Sequence, residues 1–193
     1  MGHPAHLAGK ASAVLAAVML MFAAPAEAAC VDPNAMQVEY GAMSFTQTRH
    51  LTGVRAPLVS RGRANIAAER VEWHVTDPLD IRTTITPTGI TQSIENGPAQ
   101  RVGPQGGGDA FLSSAGLFDL LVGDFTALQT HYTITRAAPA ANGAWSMRLT
   151  PRAASLSRFV SAIDVAGCER VTGVEVRQAN GDRMEIALAP AGG

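Results

Sequence analysis

Lysine is almost missing from this chain: among its 15 basic residues Lys10 is the only one, and every other cation is an arginine. Charge of either sign is scarce, at 16% of 193 residues against the usual quarter. The 15 basic residues face 16 acidic ones, so the net charge is -1 and the pI is about 6.5. With no basic surplus to neutralise phosphates, nucleic acid is not an expected partner. Cysteine occurs only as Cys30 and Cys168. That excludes a disulfide-rich mini-scaffold and a multi-cysteine zinc module. Aromatics are few, at 5%, yet hydrophobic residues make up 47%. Such a chain is too apolar for disorder and long enough to bury one core.

Signatures of catalysis are also missing. Beyond His3 and His6 near the start, histidine occurs at His50, His74 and His131, with no His-x-His or His-x-x-x-His spacing for a metal. No Gly-x-Ser-x-Gly elbow occurs. Ser113 and Ser114 have no base placed beside them by sequence. Gly106-Gly107-Gly108 is not followed by Lys-Ser/Thr and lacks the strand–helix setting of a phosphate loop. Glu69 with Glu72, and Asp77 with Asp80, have the spacing of ordinary surface carboxylates. No enzyme activity, metal or cofactor is expected.

What is present begins with an address. Residues 1–10 carry Lys10, and residues 11–24 are uncharged and mostly apolar. That run is shorter than the roughly 20 residues needed to span a bilayer. Pro25-Ala26-Glu27-Ala28 supplies small residues at the cleavage-determining positions. The order matches a secretory signal peptide, residues 1–28, leaving one domain over residues 29–193. A buried N-terminal helix is the alternative. Lipidation of Cys30 is disfavoured because Glu27 stands where a lipobox wants an aliphatic residue. No later stretch is apolar for 18 residues, so no membrane span is expected after export. In an oxidising compartment Cys30 and Cys168 could pair, or stay as two free thiols.

The remaining chain alternates with period two. Met43, Phe45, Gln47, Arg49 and Leu51 share one face; Val71, Trp73 and Val75 share another. Ile81, Thr83 and Ile85 follow, then Ile90, Gln92 and Ile94, then Trp145, Met147 and Leu149. Residues 170–178 and 183–188 flank Ala179-Asn180-Gly181-Asp182, a hairpin turn centred on Asn-Gly. Asp77-Pro78, Pro87-Thr88-Gly89 and Asn96-Gly97-Pro98 also punctuate. Turns this frequent predict an antiparallel meander in a sandwich or barrel.

One region breaks the rhythm. Residues 103–108 form a glycine-rich loop, and Asp109 could cap a helix over residues 110–122. Phe111, Leu117, Phe118, Leu120 and Leu121 make that helix apolar nearly all round. Gly123-Asp124 stops it, and residues 125–129 make a further short turn. It must be covered on several sides, either as a core helix or as a lid over an apolar cavity. An exported sheet protein with such a helix and no reactive constellation suits an apolar ligand.

A set of short motifs then runs in order. Phe45-x-Gln47-x-Arg49 is followed by Pro57-Leu58-x-Ser60-x-Gly62, by Val71-x-Trp73 with Pro78, and by Thr84-Ile85 with Gly89-Ile90. Leu120-Leu121-x-Gly123-Asp124 with Leu128 comes next. Trp145-x-Met147-x-Leu149-Thr150-Pro151 and Val171-x-x-Val174-x-Val176, through Gly181-Asp182, close the series. Over residues 43–188 this order resembles the LolA family of periplasmic lipoprotein carriers, nearer its divergent branch than the housekeeping carrier. The resemblance implies a mainly β fold with a few short helices: a curved antiparallel sheet forming an incomplete barrel, closed by a helical lid. It implies a periplasmic monomer that holds acyl chains of a lipoprotein or related lipid and carries them from an inner-membrane donor toward an outer-membrane acceptor. Mapped here, the implied lining is Phe45, Leu51, Trp73, Val75, Ile85, Ile90, Ile94, Phe111, Leu117, Phe118, Leu121, Trp145 and Phe159. One departure is visible: the family's arginine before the tryptophan strand falls on Ala67, with Arg70 the nearest cation. A non-transporting lipid sensor or assembly factor on the same scaffold, and a small exported esterase, are the alternatives.

Overall fold

The computed structural model describes Gly2 and residues 30–35, 40–102 and 116–191. The expected leader (Gly2 apart), the glycine loop, Asp109 and Phe111 lie outside the described residues. One sheet of eleven antiparallel strands dominates. In chain order these are β1 (Gly41–His50), β2 (Leu58–Ala67), β3 (Arg70–Asp77), β4 (Ile81–Thr86), β5 (Gly89–Ile94) and β6 (Gln100–Val102). Then come β7 (Tyr132–Arg136), β8 (Trp145–Pro151), β9 (Val160–Gly167), β10 (Val171–Gln178) and β11 (Arg183–Pro190). The described residues also include three short helices: α1 (Leu117–Val122), α2 (Phe125–Leu128) and α3 (Ala154–Ser157). A 3-10 turn occupies Pro33–Ala35.

The strand order is β6-β5-β4-β3-β2-β1-β11-β10-β9-β8-β7. The chain meanders outward along one arm, crosses through α1 and α2, and returns along the other. β1 and β11 join the arms in register from Met43 opposite Pro190 to His50 opposite Arg183. β6 and β7 are left as edges, so the sheet is a curved, open, incomplete barrel with helical cover. Register shifts between Arg61 and Gly62 and between Val171 and Gly173 bend the strands. The β10–β11 turn is built as its sequence requires: Gly181 has φ +91°, and Asn180 Oδ1 accepts the Asp182 N–H at 3.0 Å.

Period-two alternation sorts the side chains. Phe45, Val71, Ile85, Leu149, Ile163 and Val176 face inward and are buried. Cross-strand ion pairs lie among exposed or half-buried groups, such as Arg148 with Asp164 at 2.7 Å. Each arm places a glycine where an aromatic ring lies on the strand. A Cβ on Gly62 would strike the Phe45 ring and the His74 carbonyl; one on Gly167 would strike Trp145 and the Arg170 carbonyl. α2 and α3 fill the second arm. Phe125 of α2 meets Trp145 edge-on, with centroids 5.9 Å apart, and Leu128 and Leu156 are buried.

Cys30 and Cys168 are bonded to each other. Their bridge ties the N-terminal segment to the β9–β10 turn, where the Cys168 carbonyl also accepts the Trp145 indole N–H at 2.8 Å. A bridge of this kind is consistent with an oxidising compartment. Among the described residues no helix is long and apolar enough to cross a membrane.

Candidate functional site

The first arm is not filled. A cavity of about 520 Å³ lies against β1 to β5 and β11. Trp73 and Val75 of β3, Ile81 and Ile85 of β4, and Met184 and Ile186 of β11 form its apolar wall. Leu121 of α1 reaches into the same lining. Pro57, Leu58, Pro78 and Leu79, from the turns and strand ends at one edge, form its rim. The volume and the mostly apolar wall with few polar groups match a small-molecule site.

The wall is supported from behind. Phe45 stacks on Trp73 with ring centroids 3.8 Å apart and planes at 23°. A polar pair in the lining satisfies itself: half-buried Gln92 donates through Nε2 to Oγ1 of buried Thr83 at 3.1 Å. On the far side of Trp73 and Leu121 lies a smaller hollow of about 70 Å³, bordered by Met43, Ala64, Ile66 and Leu188. Trp73 and Leu121 line both spaces and partition them.

Trp73, Val75, Ile85 and Leu121, expected from the sequence, are therefore brought together. Phe45 packs behind Trp73 rather than at the surface of the cavity. Ile90 is buried in the core beside it and is not in the lining. Leu51 lies past the end of β1 and Ile94 ends β5 at 52% exposure; neither lines the space. Trp145 is buried in the other arm, and Phe159 is exposed on a turn with the Arg158 guanidinium 5.3 Å from its ring centre. Phe118 faces a separate hollow with Pro33 and Tyr40. Leu117 opens α1. Sequence reasoning missed Leu58, Leu79, Met184 and Ile186; only the last two carried a signal, the alternation of β11.

The polar candidates disperse. His74 Nε2 lies 3.1 Å from Asp80 Oδ1, whereas His50 faces Glu185 at 3.6 Å, and no histidine lines the cavity. Glu72 pairs with Arg70 at 3.1 Å and Asp77 with Arg61 at 3.2 Å, so these carboxylates answer to arginines and not to each other. Among the described residues no three metal-ligating side chains cluster. Ala67 ends β2, and Arg70 opens β3 with Glu72 as its partner. On α1, burial pushes the Asp119 carboxyl above its ordinary range, and the charge of Asp124 adds to the shift.

No family model matches the chain, and no curated protein matches its sequence. Among solved structures it is similar to a LolA superfamily protein from Nitrosomonas europaea, at 10% identity over 79% of this chain and 84% of that one, with a TM-score of 0.46. A domain from Vibrio parahaemolyticus, provisionally named for outer membrane lipoprotein sorting, matches at 11% identity over 83% and 90%, with a TM-score of 0.41. A DUF1329 family protein from Desulfovibrio piger matches at 8% identity over 78% and 84%, with a TM-score of 0.40.

Proposed function

We propose that this chain is an exported carrier that shelters the acyl chains of a lipoprotein or related lipid while they cross an aqueous compartment. The observation that carries this reading is the mostly apolar cavity of about 520 Å³ in one arm of the sheet. The colinear motifs over residues 43–188, the signal-peptide pattern of residues 1–28 and the Cys30–Cys168 bridge support a periplasmic setting. Transfer from an inner-membrane donor toward an outer-membrane acceptor is the route the family resemblance implies.

The physics is a competition for one hollow. Each exposed methylene of an acyl chain costs roughly 0.8 kcal/mol in water, so a lipid cannot cross unescorted. An empty apolar hollow in turn destabilises the protein that owns it. Leu121 limits that cost by standing in the space, on a six-residue helix short enough to shift. Cargo displaces Leu121, the partition beside Trp73 opens, and the two hollows merge. Because cargo and helix compete, net affinity stays modest and release to a stickier acceptor needs no energy source. Binding requires no covalent step and no cofactor.

The test is competition between organic-solvent-extracted lipids and a dye-labelled fatty acyl probe on the purified chain, with mass spectrometry of whatever co-purifies. Displaceable binding is expected, and Leu121→Asp should weaken it by about tenfold or more, since a carboxylate in an apolar site is strongly disfavoured. Absence of displaceable binding would reject the carrier. A stable complex with a membrane protein and no handover of lipid would favour the sensor instead.

A further inference from the structure

The cavity wall is uneven in its chemistry. Among the described residues that line it, Arg49 is the one that carries a full charge, and no carboxylate shares the lining. Polar neighbours gather beside it: Gln47 stands two residues back on the same face of β1, and Ser60 is opposite Gln47 across the β1–β2 ladder. At the far end Phe45 stacks on Trp73. Arg49 is four positions beyond Phe45, about 13 Å along an extended strand. The Arg49 end is the open one. Leu58 sits opposite Arg49 in the ladder and is 54% exposed, and Leu79, from the neighbouring turn, is 46% exposed. The hollow is thus apolar in its depth and cationic near its mouth.

A half-buried guanidinium among aliphatic neighbours is a forceful anion site, because its planar fork matches a carboxylate or phosphate and water screens it less than on an open surface. Arg49 also serves the β10–β11 turn. The Asp182 carboxyl there is held below its ordinary range by the Thr52 backbone N–H first, then by Asn180, with the charge of Arg49 contributing. Asp182 is not part of the lining. A guanidinium has five N–H donors, enough for a neighbouring carboxylate and a ligand together.

We infer that the cavity takes an anionic amphiphile, its acyl chain against Trp73 and Ile85 and its oxyanion head, carboxylate or phosphate, held by Arg49 at the mouth. This rests on the acyl-carrier reading and narrows it to a head-group class. Titration of the mature chain with palmitate, methyl palmitate, hexadecyl phosphate and inorganic phosphate tests it. Palmitate and hexadecyl phosphate should bind about tenfold or more tighter than the ester, the size of one charge-assisted hydrogen bond. Arg49→Gln should shrink that ratio below about threefold, and Arg49→Lys should retain part of it. The wild-type comparison decides the matter even if a variant folds poorly. Equal binding of acid and ester, or a ratio that survives Arg49→Gln, overturns the head-group assignment and leaves the carrier reading intact. Inorganic phosphate competing as well as hexadecyl phosphate would make this a free-anion site and overturn the amphiphile. Failure of every acyl compound to bind overturns both readings.

Discussion

The two arms of the sheet are built from the same alternation and end up differently filled. In the returning arm, Tyr132, Leu149, Val160 and Ile163 are at most 1% exposed, capped by Phe125 and Leu128 of α2 and Leu156 of α3. In the outgoing arm, Leu121 is the helical side chain among the described residues that lines the cavity walled by β3 and β4, and about 520 Å³ stays open. The strands are alike, so the difference lies in the plugs. An inward face becomes core or binding site according to what the connecting segments bring to it. Tyr132 illustrates the solid arm: burial raises its phenol well above the ordinary range and keeps it neutral.

Several experiments would break or sharpen this contrast, beginning with the largest effect. The Cys30–Cys168 bridge spans 138 residues and staples the N-terminal segment to the solid arm. Replacing both cysteines by serine should lower stability by about 2–5 kcal/mol, read from denaturant unfolding. An unchanged midpoint would mean the segment contributes nothing there. Next, the same truncation should differ between arms. Ile163→Ala, in the filled arm, should cost about 3–4 kcal/mol, whereas Ile81→Ala, beside the hollow, should cost about 1 kcal/mol. Equal losses would show the outgoing arm to be packed as tightly as its partner.

The smallest effects separate two carboxylates by sign. Hydrogen bonding from Arg148, joined by Arg177, lowers the Asp164 pKa between β8 and β10. Its stabilisation is present above the ordinary carboxylate pKa and is lost as pH falls through the lower folded value. Asp164→Asn should therefore lower the melting temperature slightly at neutral pH and not in strong acid, because solvent screens so exposed a pair. Asp119 on α1 is shifted the other way, so Asp119→Asn should stabilise at neutral pH, with the gain fading once pH falls below the raised folded pKa. If both variants changed stability in the same direction at neutral pH, the assigned environments would be wrong.

The sequence made the faces readable and the boundaries less so. Val71, Trp73 and Val75 alternate without interruption, and their inward face follows directly. Leu51, Ile94 and Phe159 lie outside the cavity wall, each at or beyond a strand end, and a period carries no information about where a strand stops. Trp145 faces inward as its alternation indicates, but alternation does not say that α2 will fill that arm. β2 shows little hydrophobic rhythm, because its buried positions include Ala64 and Gly62, where a Cβ would strike the Phe45 ring. Rim residues such as Pro57 and Leu79 lie in turns, where no periodicity exists to find them.

The two tryptophans of the chain fall one to each arm. Trp73 borders the hollow, and Trp145 is enclosed with its indole N–H fixed on a carbonyl. The molecule therefore carries its own gauge and its own reference. Intrinsic emission from Trp73 should move with occupancy of the hollow while that of Trp145 holds steady, so a Trp145→Phe variant would report filling and emptying without any attached label.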